Sequence, residues 1–99
     1  MVSVEVIAVT GGKELPITAR ISTPERQEDG SWLCKVDVAP LQQQTLNVRG
    51  VDSFHAVWLA CSLILKVLVQ LKENGTELRS HDGSEFPLDA YLAGLDEKT

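Results

Sequence analysis

The chain has 99 residues, 43% of them hydrophobic, with a formal net charge of −5. That length and apolar content suit one domain able to bury a core without staples, and the acidic balance argues against a nucleic-acid backbone or an anionic membrane as partner. Two cysteines far apart in sequence make no disulfide framework and read as reduced thiols.

The opening, MVSVEVIAVTGG, has no basic leader region and reads as a strand, so the expectation is a cytoplasmic protein. From Val2 to Val9 the residues alternate. Val2, Val4, Val6 and Ala8 share one face, and Ser3, Glu5 and Ile7 the other. Gly11-Gly12 supplies a two-residue hairpin turn, since both positions tolerate positive φ. Leu15 to Thr23 is the return strand, with Leu15, Ile17, Ala19 and Ile21 inward.

Pro24 to Gly30, PERQEDG, is a polar loop ending in the turn signal Asp-Gly. The next strand, Ser31 to Val38, places Trp32, Cys34, Val36 and Val38 on one face, and Pro40 ends it. Leu46 and Val48 alternate with Asn47 and Arg49 in a fourth strand over Thr45–Gly50. Short connections make these four an antiparallel meander. The outward set (Ser3, Glu5, Thr18, Arg20, Ser22, Lys35, Asp37, Asn47, Arg49) is a solvated face, with Ile7 and Leu33 as apolar exceptions.

Val51 to Glu73 reads as one long helix. Asp52 suits the N-cap, with Ser53 as the other candidate, and Asn74-Gly75 supplies the left-handed stop. At about 100° per residue, His55, Ser62, Lys66, Gln70 and Glu73 form a polar stripe in which Leu59 intrudes. Val57, Ala60, Ile64, Leu68 and Leu71 lie opposite, and the expected sheet contact is through Val57, Ala60, Ile64 and Leu68. Phe54, Trp58, Cys61, Leu65 and Val69 form one flank; Ala56, Leu63 and Val67 the other. The apolar run Ala56 to Leu71 is short of the ~20 residues of a membrane span and Lys66 interrupts it, so a buried soluble helix is expected.

Beyond Gly75, Thr76–Ser80 reads as a short fifth strand and His81-Asp82-Gly83-Ser84 as a turn. Leu88, Tyr91, Leu92 and Leu95 recur at helical spacing over Pro87–Leu95, which gives a short helix or turn, and residues 96–99 are expected to fray. The predicted fold is therefore α+β: a four- or five-stranded antiparallel meander with one long helix on one face and a short C-terminal helix, in a single domain over residues 1–99.

Three pieces are similar to a known pattern: Trp32-Leu33-Cys34 on a strand, Gly50-Val51-Asp52-Ser53 with Ala56 at the helix start, and Phe86-Pro87 after a Gly-containing turn. Together, over about residues 30–88, they resemble a family of small bacterial proteins classed as a domain of unknown function. The family pattern has a W-x-C strand, a G-x-D-S-x-Q-A-L helix start and a G-F-P-like end. Here His55 stands in place of its Gln and Val57 in place of its Leu. The resemblance implies the fold and no site.

Sharper readings of single residues have blander competitors. Cys34 and His55, with Asp37 or Asp52, could be cast as a nucleophile, base and orienting carboxylate. Cys34, however, shares the inward face of its strand, where cysteine behaves as a small hydrophobe. His55 falls on the polar helical stripe. Cys34, Cys61, His55 and His81 have zinc-ligand chemistry but no paired spacing. Arg20, Lys35 and Arg49 could meet an anion, yet Asp37 offsets them on a mixed face. Gly11-Gly12 lacks the phosphate-loop pattern.

No catalytic residue, cofactor or metal is assigned, and the chain reads as a non-enzymatic protein-interaction module, either a homodimer or the binder of another protein. A small-ligand binder with a crevice between the helix, Trp32 and Trp58 is the alternative. The candidate interface is Phe54, Trp58, Leu65, Val69, Tyr91 and Leu92. Left in water, that flank is an apolar stripe of a kind soluble monomers rarely carry. Two covers exist: the tail, with Phe86, Leu88, Tyr91, Leu92 and Leu95, or a second copy.

Overall fold

The structure is a computed structural model that describes residues 1–93; the expected frayed end and the position of Leu95 lie outside the described residues. In chain order the elements are β1 (Val2–Thr10), β2 (Lys13–Ile21), β3 (Glu25–Arg26), β4 (Trp32–Ala39), β5 (Leu46–Gly50), α1 (Ser53–Glu73), β6 (Glu77–Arg79) and α2 (Leu88–Ala93). The fold is α+β, as the alternation and periodicity predict.

Every strand pairing is antiparallel. β1 and β2 pair over their full length, from Val2 opposite Ile21 to Thr10 opposite Lys13. Gly11 and Gly12 both hold positive φ between them, the requirement of the tight hairpin turn. β4 lies on β2, and β5 on the far side of β4. The two-residue β3 sits inside the stretch predicted as a plain loop, where Glu25 and Arg26 pair with Leu33 and Trp32. β6 joins the opposite edge beside β1, so α1 carries the chain from one edge of the sheet to the other.

Two loops share one design. In Asp29-Gly30-Ser31 and Asp82-Gly83-Ser84 the aspartate Oδ1 accepts from the serine N–H (2.9 and 3.0 Å) and from its hydroxyl (2.6 Å in both). Each glycine has φ of +87°, which a side chain would resist. The serine hydroxyl first, then the serine N–H, holds each aspartate below its ordinary carboxylate value. The stabilisation is therefore present at neutral pH and fades as pH falls through those lowered values.

The core is the inner sheet face and one ridge of α1. Val6, Ala8, Ile17, Ala19, Ile21, Cys34, Val36 and Val38 are buried from the sheet. Ala56, Ala60, Ile64 and Leu68 are buried from the helix. Two details differ from the sequence reading. The ridge begins at Ala56, and Val57 is only half-buried. The cause is Gly50, whose missing side chain lets β5 run against the backbone of Ala56 and rotates the first helical turn toward it. Val2 and Leu15, predicted inward, are 61% and 41% exposed, because each stands where its strand has no second neighbour: β6 meets β1 only at Ile7–Val9, and β4 meets β2 only at Thr18–Ile21.

Both ends of α1 are stopped by local chemistry. Asp52 is the N-cap, and its Oδ1 accepts from the His55 N–H at 2.7 Å. The Nδ1 of His55 in turn accepts from the Val51 N–H at 3.0 Å. His55 stands at N3, where a capping box has Glu or Gln, but its ring reaches one residue further back, to the N–H before the cap rather than that of the cap itself. At the other end the Thr76 N–H reaches the Leu71 carbonyl (3.0 Å) and the Gly75 N–H that of Lys72 (3.1 Å), a Schellman stop with φ of +93° at Gly75. We expect His55→Gln to retain the stability of the wild type and His55→Ala to lose about 1 kcal/mol. Urea unfolding of the two variants checks it; equal loss in both would show that the ring's acceptor nitrogen does nothing for the cap.

Candidate functional site

The helix flank named from the sequence divides in two. α2 packs against α1, leaving Leu65, Val69 and Leu92 half-buried against the core. Phe86 and Leu88 are buried beneath this tail, and the Phe86 ring stacks on Tyr91 with centroids 5.0 Å apart. Phe54, Trp58 and Tyr91 remain 78%, 42% and 47% exposed. The tail thus covers the distal part of the flank and leaves the part at the start of the helix open.

Two depressions border this region. An apolar crevice of about 190 Å³ opens between α1 and the β1–β2 hairpin, lined by Val2, Val4, Ile21, Cys61, Leu65 and Tyr91 among others. A more open trough of about 410 Å³ runs along α1 beside Leu92, from Trp58 past Leu65 and Val69 to Lys66 and Glu73. Leu65 lines both, so the two are neighbours on either side of its side chain. Trp32 lines neither: it sits opposite Gly50 in the β4–β5 ladder. The crevice expected between Trp32 and Trp58 is replaced by one over the hairpin.

The remaining candidates are dispersed. Cys34 is fully buried; burial, reinforced by the neighbouring Cys61, pushes its thiol up, opposite to the shift that activates a nucleophile. His55 is occupied by the helix cap, and Asp52 with it. His81 pairs through Nε2 with Glu5 on the outer sheet face. Among the described residues no three His, Cys, Asp or Glu side chains gather in a metal-binding group. Asp37 accepts a hydrogen bond from Thr45, and Arg49 reaches Ser31 and Asp29, while Arg20 and Lys35 stay exposed with no shared focus. Ser62, read as part of the polar stripe, has a buried hydroxyl with no partner among the described residues.

α1 is long and apolar enough, by length and composition, to cross a membrane. In this fold its Ala56–Leu68 ridge is packed against the sheet.

A twisted antiparallel sheet with one crossing helix, a short tail helix and an open apolar flank defines a small α+β protein whose prominent surface feature is hydrophobic. The chain belongs to the family described as Domain of unknown function (DUF6968), which matches residues 5–88. No curated protein and no solved structure matches it.

Proposed function

We propose that this chain is a self-associating protein-interaction module of the bacterial cytoplasm, acting as a homodimer and carrying no catalytic site. One observation supports the reading above others: Phe54, Trp58 and Tyr91 stay exposed, and Trp58 and Tyr91 border neighbouring apolar depressions that share Leu65, one of which the exposed Val2 also lines. Large aromatics in water beside an apolar crevice are the composition of a contact patch. Sedimentation of the full chain across a concentration range tests it. The expected result is a dimer that Trp58→Asp dissociates, raising Kd at least about tenfold with helical content retained. A chain that remains monomeric at every concentration overturns the reading. The second reading, a small-ligand binder, draws on the apolar crevice; at about 190 Å³ it is smaller than sites that enclose drug-sized ligands.

A further inference from the structure

β1 is paired on one side for its whole length, but on the other side β6 meets only Ile7, Ala8 and Val9. Among the described residues, the backbone of Val2–Val6 has no strand partner on that side. At ~3.4 Å per residue this is an open edge of roughly 17 Å.

Open edges invite pairing, and proteins that stay monomeric guard them with proline, lysine or a bulge. Elsewhere this sheet does so. Lys13–Ile17 of β2 lies beyond the reach of β4, and that stretch contains Lys13 and Pro16. The outer strand β5 is five residues long and carries Arg49. Val2–Val6 has no proline, no lysine and no bulge in its register, and its one charge, Glu5, is engaged by His81.

We infer that the open edge of β1 is a homodimer seam, pairing antiparallel over residues 1–5 with the same edge of a second copy about a twofold axis at Ser3. The inference rests on the self-association proposed above and specifies its geometry. The strand is its own complement in this register. Val2 stands opposite Val4 of the second copy on the inner face, and Ser3 opposite Ser3 on the outer face. β-Branched pairs of this kind stabilise a ladder, and no like charges face one another. The register stops short of Ile7, the position that β6 occupies. Two sheets become one, and the twofold sets the two apolar crevices side by side. Val2 and Tyr91, exposed in the single chain and lining that crevice, are then covered.

Two measurements on the full chain test the seam. Backbone amide exchange is followed at low and high protein concentration. The amides of residues 2–5 that point away from β2 should become at least about tenfold slower as the dimer fills, since exchange from a paired edge requires opening. Sedimentation of Val2→Lys, which adds an edge-blocking charge at an exposed position, should show a monomer whose circular dichroism matches the wild type. A wild-type dimer whose residues 2–5 exchange equally fast at all concentrations, and which Val2→Lys leaves intact, overturns the edge pairing while self-association stands. A wild type that never dimerises removes both.

Discussion

Gly50→Ala should be among the most damaging single-methyl additions in this protein, lowering stability by about 3 kcal/mol or more. A Cβ built at Gly50 falls 2.4 Å from the Ala56 nitrogen and 2.8 Å from both the Ala56 Cα and the His55 carbonyl carbon. These are backbone atoms of the first helical turn, so no rotamer change relieves the collision, and trimming Ala56 to glycine does not help. Gly50 is not in the left-handed region, so the backbone itself would accept alanine and the effect is purely one of space. Relief requires α1 to lift from β5, which drags Ala56 and Ala60 out of the core. In a chain of this size each kcal/mol corresponds to roughly 4–8 °C in Tm. Thermal unfolding followed by circular dichroism gives the answer. A Tm within about 3 °C of the wild type would mean that strand and helix are not in the close contact described here.

Phe86→Ala is the second large effect, expected at about 3–5 kcal/mol, the range for a buried phenylalanine truncated to a cavity. Phe86 is 5% exposed, its N–H donates to the Leu78 carbonyl at 2.9 Å, and its ring carries Tyr91. The backbone bond survives the substitution; the stack and the filled volume do not. α2 then loses its main anchor beside Leu88, and Leu65 and Val69 are uncovered. Urea unfolding should report the stability loss, and binding of an apolar-surface dye should rise at the same time. Loss of stability without added dye binding would show that the ring fills the core but does not hold the tail on the flank.

Much of this architecture can be read from neighbours in sequence, because the forces that set it are local. Alternation in β1, β2 and β4, the paired glycines of the hairpin, the Asp52 cap and the Asn74-Gly75 stop all act within a few residues. The rotation of α1 about its axis is not local. The polar stripe points to Val57 as the residue opposite it, whereas the contact is set by what Gly50 brings against the first turn. β3 escapes notice because two polar residues have no period to detect.

The candidate flank is legible as a set but not in its division. Hydrophobicity alone gives Phe54 and Leu65 the same standing, and only the path of α2 decides that one is exposed and the other half-buried. The open half of β1 has no sequence signal at all. It exists because β6 is three residues long and joins the hairpin at the end remote from Val2. What the sequence does offer, in retrospect, is an absence: the Val2–Val6 stretch lacks the proline and lysine that stand in Lys13–Ile17.

The order of strands also dictates an order in time. β1, β2, β4 and β5 are contiguous neighbours and can zip together as each leaves the ribosome. β6 cannot: Ile7 and Arg79 meet only after α1 has been synthesised, wound and laid across the sheet. Closing so long a loop is entropically slow relative to hairpin formation. Throughout that interval the whole nine-residue length of β1 is an unguarded template, rather than the half that remains in the finished fold. The nascent chain is therefore most prone to pair with a neighbour before residues 77–79 arrive, and the speed with which α1 docks sets how long that hazard lasts.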